Sequence, residues 1–171
     1  PFPYFPISTH FGQVQSGQSI LSKYPLFETK RIALERVTTG PFYQDAFYLD
    51  RLAQVTKVKI NGNTLILINV HLESYDTETR RLQTAYIADL YKKYYKDYPT
   101  LLVGDFNSDL EYENAAIKQI LNIPGIGSAL FNSENTIKSF PSNNPRERLD
   151  YIFYNPSYIE EITAEIINSV D

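Results

Sequence analysis

Cysteine, methionine and tryptophan are all absent from this chain of 171 residues. Without cysteine there is no disulfide framework, no thiolate metal site and no sulfur nucleophile, and cysteine-based enzymology drops out as a class. A chain without methionine is expected to be an internal piece of a longer polypeptide, the alternative being a processed mature form. With Trp and Met missing, other large side chains must fill the interior, so most of the 14 Tyr and 10 Phe are assigned to the core rather than to base stacking. No apolar run approaches the roughly 20 residues that a membrane helix needs. The opening Pro1-Phe2-Pro3-Tyr4-Phe5-Pro6 lacks the basic and then apolar order of a signal peptide. A soluble chain is expected, with the cytoplasm slightly favoured as its compartment. Positive charge is also short: 16 Lys and Arg stand against 20 Asp and Glu, a formal net charge of −4 with a pI near 5.2. Such a surface does not coat itself in nucleic acid by bulk attraction, so any nucleic-acid contact must be local. What the chain does have is 43% hydrophobic residues, enough for one good core and therefore for one domain over residues 1–171.

The first third is rich in loop residues, and Ile20 to Tyr24 reads as a short strand closed by a turn at Pro25. Ala53, Val55, Val58 and Ile60 then run into Asn61-Gly62, the strongest short hairpin signal, and the pattern resumes from Thr64 to Val70. That second strand is apolar at nearly every position, which predicts cover on both faces. Asp76 is placed to cap a helix from Thr77 to about Tyr95, with Leu82, Tyr86, Leu90 and Tyr94 recurring on an inward face. Ser108-Asp109-Leu110-Glu111 reads as a capping box for a second helix that turns Tyr112, Ala116 and Ile120 inward and ends at Pro124 and Gly125. Tyr151 and Phe153 mark a last core strand, and Ile162 to Ile167 alternates like a further one. Hairpins mixed with helices predict α/β layers rather than a pure bundle or sandwich.

Chemistry collects at the ends of these strands. Leu101 to Asn107 closes an apolar run with an acid, a spacer and an amide, so Asp105 can bind a cation or take a proton from water while Asn107 donates to a phosphoryl oxygen. Both are also ordinary turn residues. His71 leaves the hairpin's second strand and can serve as acid or base, or be a hydrogen-bonded core histidine. Asp150 opens the last strand and can orient a histidine, or pair with Arg146 or Arg148. Arg80, Arg81, Lys92, Lys93 and Lys96, with Arg146 and Arg148, are able to contact a polyanion, although a solvated helix face explains the first five equally well. His10 is read as structural.

Four motifs give the combination its meaning: Gly17-Gln18-Ser19-Ile20-Leu21-Ser22-Lys23-Tyr24-Pro25, Asn69-Val70-His71-Leu72, Gly104-Asp105-Phe106-Asn107 and Arg148-Leu149-Asp150-Tyr151-Ile152-Phe153. In order and spacing they resemble the endonuclease/exonuclease/phosphatase superfamily, the group of DNase I, the apurinic endonucleases and the neutral sphingomyelinases. The resemblance implies a four-layered α/β sandwich, two mixed and mostly antiparallel sheets packed face to face with helices outside, here incomplete at both ends. It implies Mg²⁺, or Mn²⁺, and hydrolysis of phosphodiester or phosphomonoester bonds, as in nucleases and lipid or small-molecule phosphodiesterases. Asp105 resembles the aspartate that aligns or activates the attacking water near the metal, and Asn107 its phosphate-holding partner, so both are assigned to the metal. His71 resembles the histidine that bonds the phosphate or protonates the leaving group, and Asp150 the carboxylate that orients a final histidine. That histidine, the early Asn motif and the Glu that is the principal metal ligand are not among these residues, and His10 lies in the wrong place to substitute. The chain is therefore expected to be part of a larger domain and to hydrolyse little on its own. A phosphoester is the expected partner, with nucleic acid left open and oligomeric state unspecified. The alternative reading is a non-catalytic binding module of the same fold.

Overall fold

A computed structural model describes residues 7–11, 14–37, 50–129 and 138–160, with side chains from Gly17 onward. Strands β1 (Ile7–Phe11) and β2 (Val14–Gly17) form an antiparallel pair of their own. All other described strands join one sheet: β3 (Leu26–Ala33), β4 (Leu52–Ile60), β5 (Asn63–His71), β6 (Thr100–Asp105), β7 (Gly127–Ser128) and β8 (Asp150–Tyr154). Their order across the sheet is β3-β4-β5-β6-β8-β7. Only the β5–β6 pair is parallel, which requires the crossover supplied by helix α1 (Thr77–Tyr95). A single turn, α2 (Lys118–Leu121), follows β6. The result is the expected α/β class, a mixed sheet that does not close.

The hairpin at Asn61-Gly62 pairs Ile60 with Asn63 and carries the register unbroken to Leu52 opposite His71. Asn61 and Gly62 both take positive φ, 48° and 87°, as a tight hairpin turn between strands demands. Val55, Ile66, Ile68, Val70, Leu102, Tyr151 and Phe153 project from one sheet face into a core shared with Ile87, Ala88 and Tyr91 of α1 and with Ile117 and Ile120 around α2. Three aromatic rings lock its middle, with Phe106 edge-on to both Tyr151 and Phe153 at centroid distances of 5.7 and 5.5 Å.

Several sequence expectations are corrected. Ile20 to Tyr24 forms no strand, and pairing starts only after Pro25, at Leu26. The strand buried on both faces is β4, from Leu52 to Thr56, rather than β5, whose Leu65 and Leu67 are only half-buried. Asp76 does cap α1, accepting from the Thr79 backbone N–H at 2.6 Å. The buried stripe of α1 is Gln83, Thr84, Ile87, Ala88 and Tyr91, while Leu82 and Tyr86 stay exposed at 37% and 48% and border a groove of 390 Å³ with Val37. Of the apolar i, i+4 series, Leu90 and Tyr94 pack partly buried against the core, while Ile87, Ala88 and Tyr91 are the residues of α1 that lie within it. Ser108 to Glu111 opens no helix. Asp109 instead accepts from the Glu111 and Arg148 backbone N–H groups and from Lys138, pinning two loops together. The run from Ile162 to Ile167 lies outside the described residues.

Gly104 is where the fold tolerates least. At φ 131° it abuts β5, and an added Cβ would sit 2.0 Å from the Val70 carbonyl oxygen. Gly104→Ala is expected to lower the unfolding free energy by about 3 kcal/mol or more in urea titrations, because backbone must move. Gly62→Ala, whose added Cβ meets nothing within 4 Å, should lose only the turn strain, about 1 kcal/mol. Equal losses for both would mean that the approach of β5 to β6 is not the limiting contact.

Candidate functional site

Ladder register assembles the site. Leu52 stands opposite His71, His71 opposite Asp105, and Asp105 opposite Asp150, across four adjacent strands. Paired residues share a sheet face, so His71, Asp105 and Asp150 form one row. That row lies on the face away from α1, because the alternate residues Val70 and Tyr151 belong to the core beneath the helix. His71 Nε2 is 3.7 Å from Asp105 Oδ2. Asn107, at φ 48°, folds back so that its backbone N–H donates to Asp105 Oδ1 at 2.8 Å, and its side-chain Nδ2 donates to the Leu72 carbonyl at 2.9 Å. The Leu72 N–H in turn donates to the Asp105 carbonyl at 2.9 Å. All four residues singled out from sequence are thus brought to one end of the sheet, three of them through these contacts and Asp150 through its pairing.

Burial and like charge set the electrostatics. Asp105 is pushed up to about 6, chiefly by burial and further by Asp150, against the pull of the Asn107 N–H and the Arg51 cation. His71 is held below its ordinary value, first by burial and then by Arg51, with Asp150 and Glu73 acting the other way. Near neutral pH the imidazole is accordingly uncharged.

The sequence reading missed the support beneath this row. Arg51, 6% exposed, places Nη1 2.8 Å from His71 Nε2 and donates from Nη2 to Ser74 Oγ at 2.7 Å, with Nε 3.7 Å from Glu73 Oε2. Glu73 is 1% exposed and accepts from the Tyr75 and Asp76 N–H groups. Arg80 donates to the Glu73 and Ser74 carbonyls. On the other side, Ser139 Oγ accepts from the Leu149 and Asp150 N–H groups and fixes the entry of β8. Arg51 was within reach of sequence reasoning: pairing Ile60 with Asn63 and counting outward puts Leu52 opposite His71, with Arg51 next to it.

The basic residues considered for a polyanion are mostly engaged elsewhere. Arg80 is buried under the Glu73–Ser74 carbonyls, Arg81 makes a two-point contact with Glu78, and Lys92 pairs with Asp89. Arg148 does not pair with Asp150; it donates to the Ala129 carbonyl and lies 4.6 Å over the Tyr151 ring. Among the described residues no group of three or more His, Asp or Glu converges as a metal cage. Two carboxylates at paired positions, one with a raised pKa, and an amide oxygen beside them nevertheless form a hard oxygen donor set. That set suits Mg²⁺, which takes one or two carboxylates and completes its shell with water and phosphate.

Known proteins supply the context. The sequence model of the Endonuclease/Exonuclease/phosphatase family matches residues 1–167. None of the curated proteins is close enough in sequence to match. Among solved structures, a mannosyl-6-phosphatase from Bacteroides thetaiotaomicron superposes with a TM-score of 0.59 at 20% identity, over 79% of this chain and 54% of its own. The human Nocturnin catalytic domain with bound sulfate superposes at 0.63 with 16% identity, over 90% and 60%. A Staphylococcus aureus beta toxin mutant with bound magnesium ions superposes at 0.58 with 24% identity, over 80% and 51%. At these identities the likeness is one of fold, and the chain spans little more than half the length of each.

Because its folded-state pKa lies above the ordinary carboxylate range, Asp105 favours the folded state fully only at low pH and loses that contribution as pH rises through about 6. Asp105→Asn, which keeps an acceptor for the Asn107 N–H, is expected to stabilise the chain at about pH 8 by about 1–2 kcal/mol after allowance for partial exposure, and to be neutral at about pH 4. Thermal melts with EDTA at both pH values read this difference. A variant equally affected at the two would show that Asp105 is not strained by its burial.

Proposed function

The chain belongs to the endonuclease/exonuclease/phosphatase family, and from that premise we propose that it forms the phosphate-handling side of a metal-dependent phosphoesterase that cleaves a phosphodiester or phosphomonoester by in-line attack of water. The observation that carries this reading is the row of His71, Asp105 and Asp150 on adjacent strands, with Asn107 tied back to Asp105.

Each side chain has a task that its surroundings favour. Asp105 accepts the proton of the attacking water at Oδ2, while Oδ1 is steadied by the Asn107 N–H. One N–H of the Asn107 amide is held by the Leu72 carbonyl, which leaves the second N–H for a phosphoryl oxygen and Oδ1 for a cation. His71, neutral near pH 7, serves as a hydrogen-bond donor to the phosphate rather than as a proton donor to the leaving group. Asp150 supplies negative charge opposite Asp105 and so favours a cation between strand ends. Asp105 and Asn107 would hold Mg²⁺ or Mn²⁺, whose charge offsets that developing on the phosphoryl oxygens. Donors placed in advance of the reaction supply most of the rate in such a site.

The substrate is proposed only as a phosphoester, with nucleic acid included if the contact is local. Of the basic side chains of α1, Arg81 and Lys92 pair with their own acidic neighbours and Arg80 is buried against carbonyls, which fits a small or end-on phosphate better than a long polyanion held along the helix.

The test is hydrolysis of a chromogenic phosphodiester by a polypeptide that contains these residues together with the family's Glu and Ser-Asp-His motifs. Turnover should require Mg²⁺, vanish with EDTA, and fall about a hundredfold or more in Asp105→Ala. The 171 residues alone should stay near background. EDTA-insensitive turnover, or an Asp105→Ala variant of full activity, would overturn the proposal.

A further inference from the structure

We propose that Arg51 is a positioning residue that locks His71 into the tautomer with its proton on Nδ1, making Nδ1 the one ring atom able to donate to a phosphoryl oxygen. The inference rests on the phosphate-handling reading for its purpose, while the tautomer itself is a property of the chain.

The argument follows from donor chemistry. A guanidinium has five N–H donors and no acceptor, so the 2.8 Å contact between Arg51 Nη1 and His71 Nε2 has only one polarity. Nε2 must offer its lone pair. A neutral imidazole with Nε2 accepting carries its proton on Nδ1. Asp105 does not compete, because its Oδ2 at 3.7 Å is too far from Nε2 to draw a proton there. Nothing among the described residues accepts from Nδ1, and the His71 side chain is 42% exposed, so a ligand oxygen has access to it.

Arg51 is unsuited to binding phosphate itself. It is 6% exposed, and both ends of its planar fork are engaged, Nη1 on His71 and Nη2 on Ser74 Oγ at 2.7 Å, while Nε lies 3.7 Å from Glu73 Oε2 as an ion pair rather than a hydrogen bond. Glu73 is held in place by the Tyr75 and Asp76 N–H groups, and Arg80 clamps the same turn through its carbonyls. The turn after β5 therefore fixes Glu73 and Ser74, these fix Arg51, and Arg51 fixes the ring. Such support from outside the reacting groups is how a ligand-facing histidine keeps one orientation and one tautomer.

Ring-nitrogen NMR of the 171-residue chain tests this without any substrate. The chain has two histidines, so the signals that persist in His10→Gln belong to His71. The expected wild-type spectrum has Nδ1 protonated and Nε2 unprotonated. Free histidine prefers the proton on Nε2, so Arg51→Met, which has no donor, should transfer the proton to Nε2. Arg51→Lys, which keeps one donor, should leave it on Nδ1. A wild-type His71 protonated on Nε2 overturns the proposal, as does a folded Arg51→Met variant with an unchanged tautomer. The wild-type spectrum decides by itself if Arg51→Met does not fold. Turnover is a separate readout: a correct tautomer in a polypeptide that hydrolyses no phosphoester leaves the lock standing and removes the phosphoesterase reading.

Discussion

The parallel register between β5 and β6 is the constraint on which the site depends. It can exist only because residue 104 is glycine, since any side chain there would occupy the space of the Val70 carbonyl. The register that results sets His71 opposite Asp105 and brings the Leu72 N–H to the Asp105 carbonyl. A slip of one residue would turn every side chain of β6 to the opposite face, sending Asp105 into the apolar layer under α1 and Leu102 out of it. Core packing and the geometry of the candidate site are thus specified by the same pairing. The core residues Ile68 and Leu102 hold the register that the polar residues His71 and Asp105 need.

Local signals were legible in the sequence wherever one short interaction decides the outcome. Asn61-Gly62 specifies a turn by its positive φ values, and a two-residue turn specifies the whole hairpin register. Asp76 caps α1 by a single hydrogen bond. The acid–spacer–amide of residues 105 to 107 is a turn in which the carboxylate accepts the amide N–H two residues on, which is the same chemistry that makes it visible as a motif. Where competing partners decide, the reading failed. Ser108 and Asp109 carry capping chemistry, but Asp109 gives both carboxylate oxygens to Glu111, Arg148 and Lys138, and Ser108 Oγ accepts from the Ile117 N–H nine residues away. The inward face of α1 differs from the apolar pattern because Gln83 and Arg80 are buried by hydrogen bonds to the Glu35 and Glu73 regions and Thr84 by donating to the Arg80 carbonyl, which no hydrophobic pattern records. The sequence singles out His71, Asp105, Asn107 and Asp150, which the register brings to one end of the sheet; Arg51, Glu73 and Ser139 around them carry no such local signal, since their contacts run through paired strands and loops distant in sequence.

A buried cation beside a histidine and a carboxylate has opposite effects on the two. Arg51 draws Asp105 toward its charged form and pushes His71 toward its neutral form. Burial strengthens the second effect and outweighs the first, so the site keeps an uncharged ring next to a carboxylate of raised pKa. That pairing suits phosphate chemistry, in which a cationic imidazole would compete with a metal ion for the same anionic oxygens. Glu73 makes it affordable to the fold: its carboxylate faces Arg51 Nε, so the arginine's charge is balanced from below rather than by Asp105.

The open side of the sheet bears on the same balance. Leu65, Leu67, Leu101 and Val103 lie on the face that carries the row of His71, Asp105 and Asp150, and they are only half-buried, with Ile152 beside them 37% exposed. Apolar surface of this kind is ordinarily buried by packing another layer of secondary structure against the sheet. Covering it would remove water from the flank of His71 and Asp105, and desolvation is already the largest influence on both. Any layer laid there must therefore push Asp105 further up and His71 further down, unless it brings charge of its own. The state that best tolerates both burial and the facing Asp150 is one in which a cation sits against the two carboxylates. The packing of the outer face and the charge of the site are in consequence one problem: the more completely the sheet is covered, the more Asp105 at its end depends on a positive ion to remain ionised.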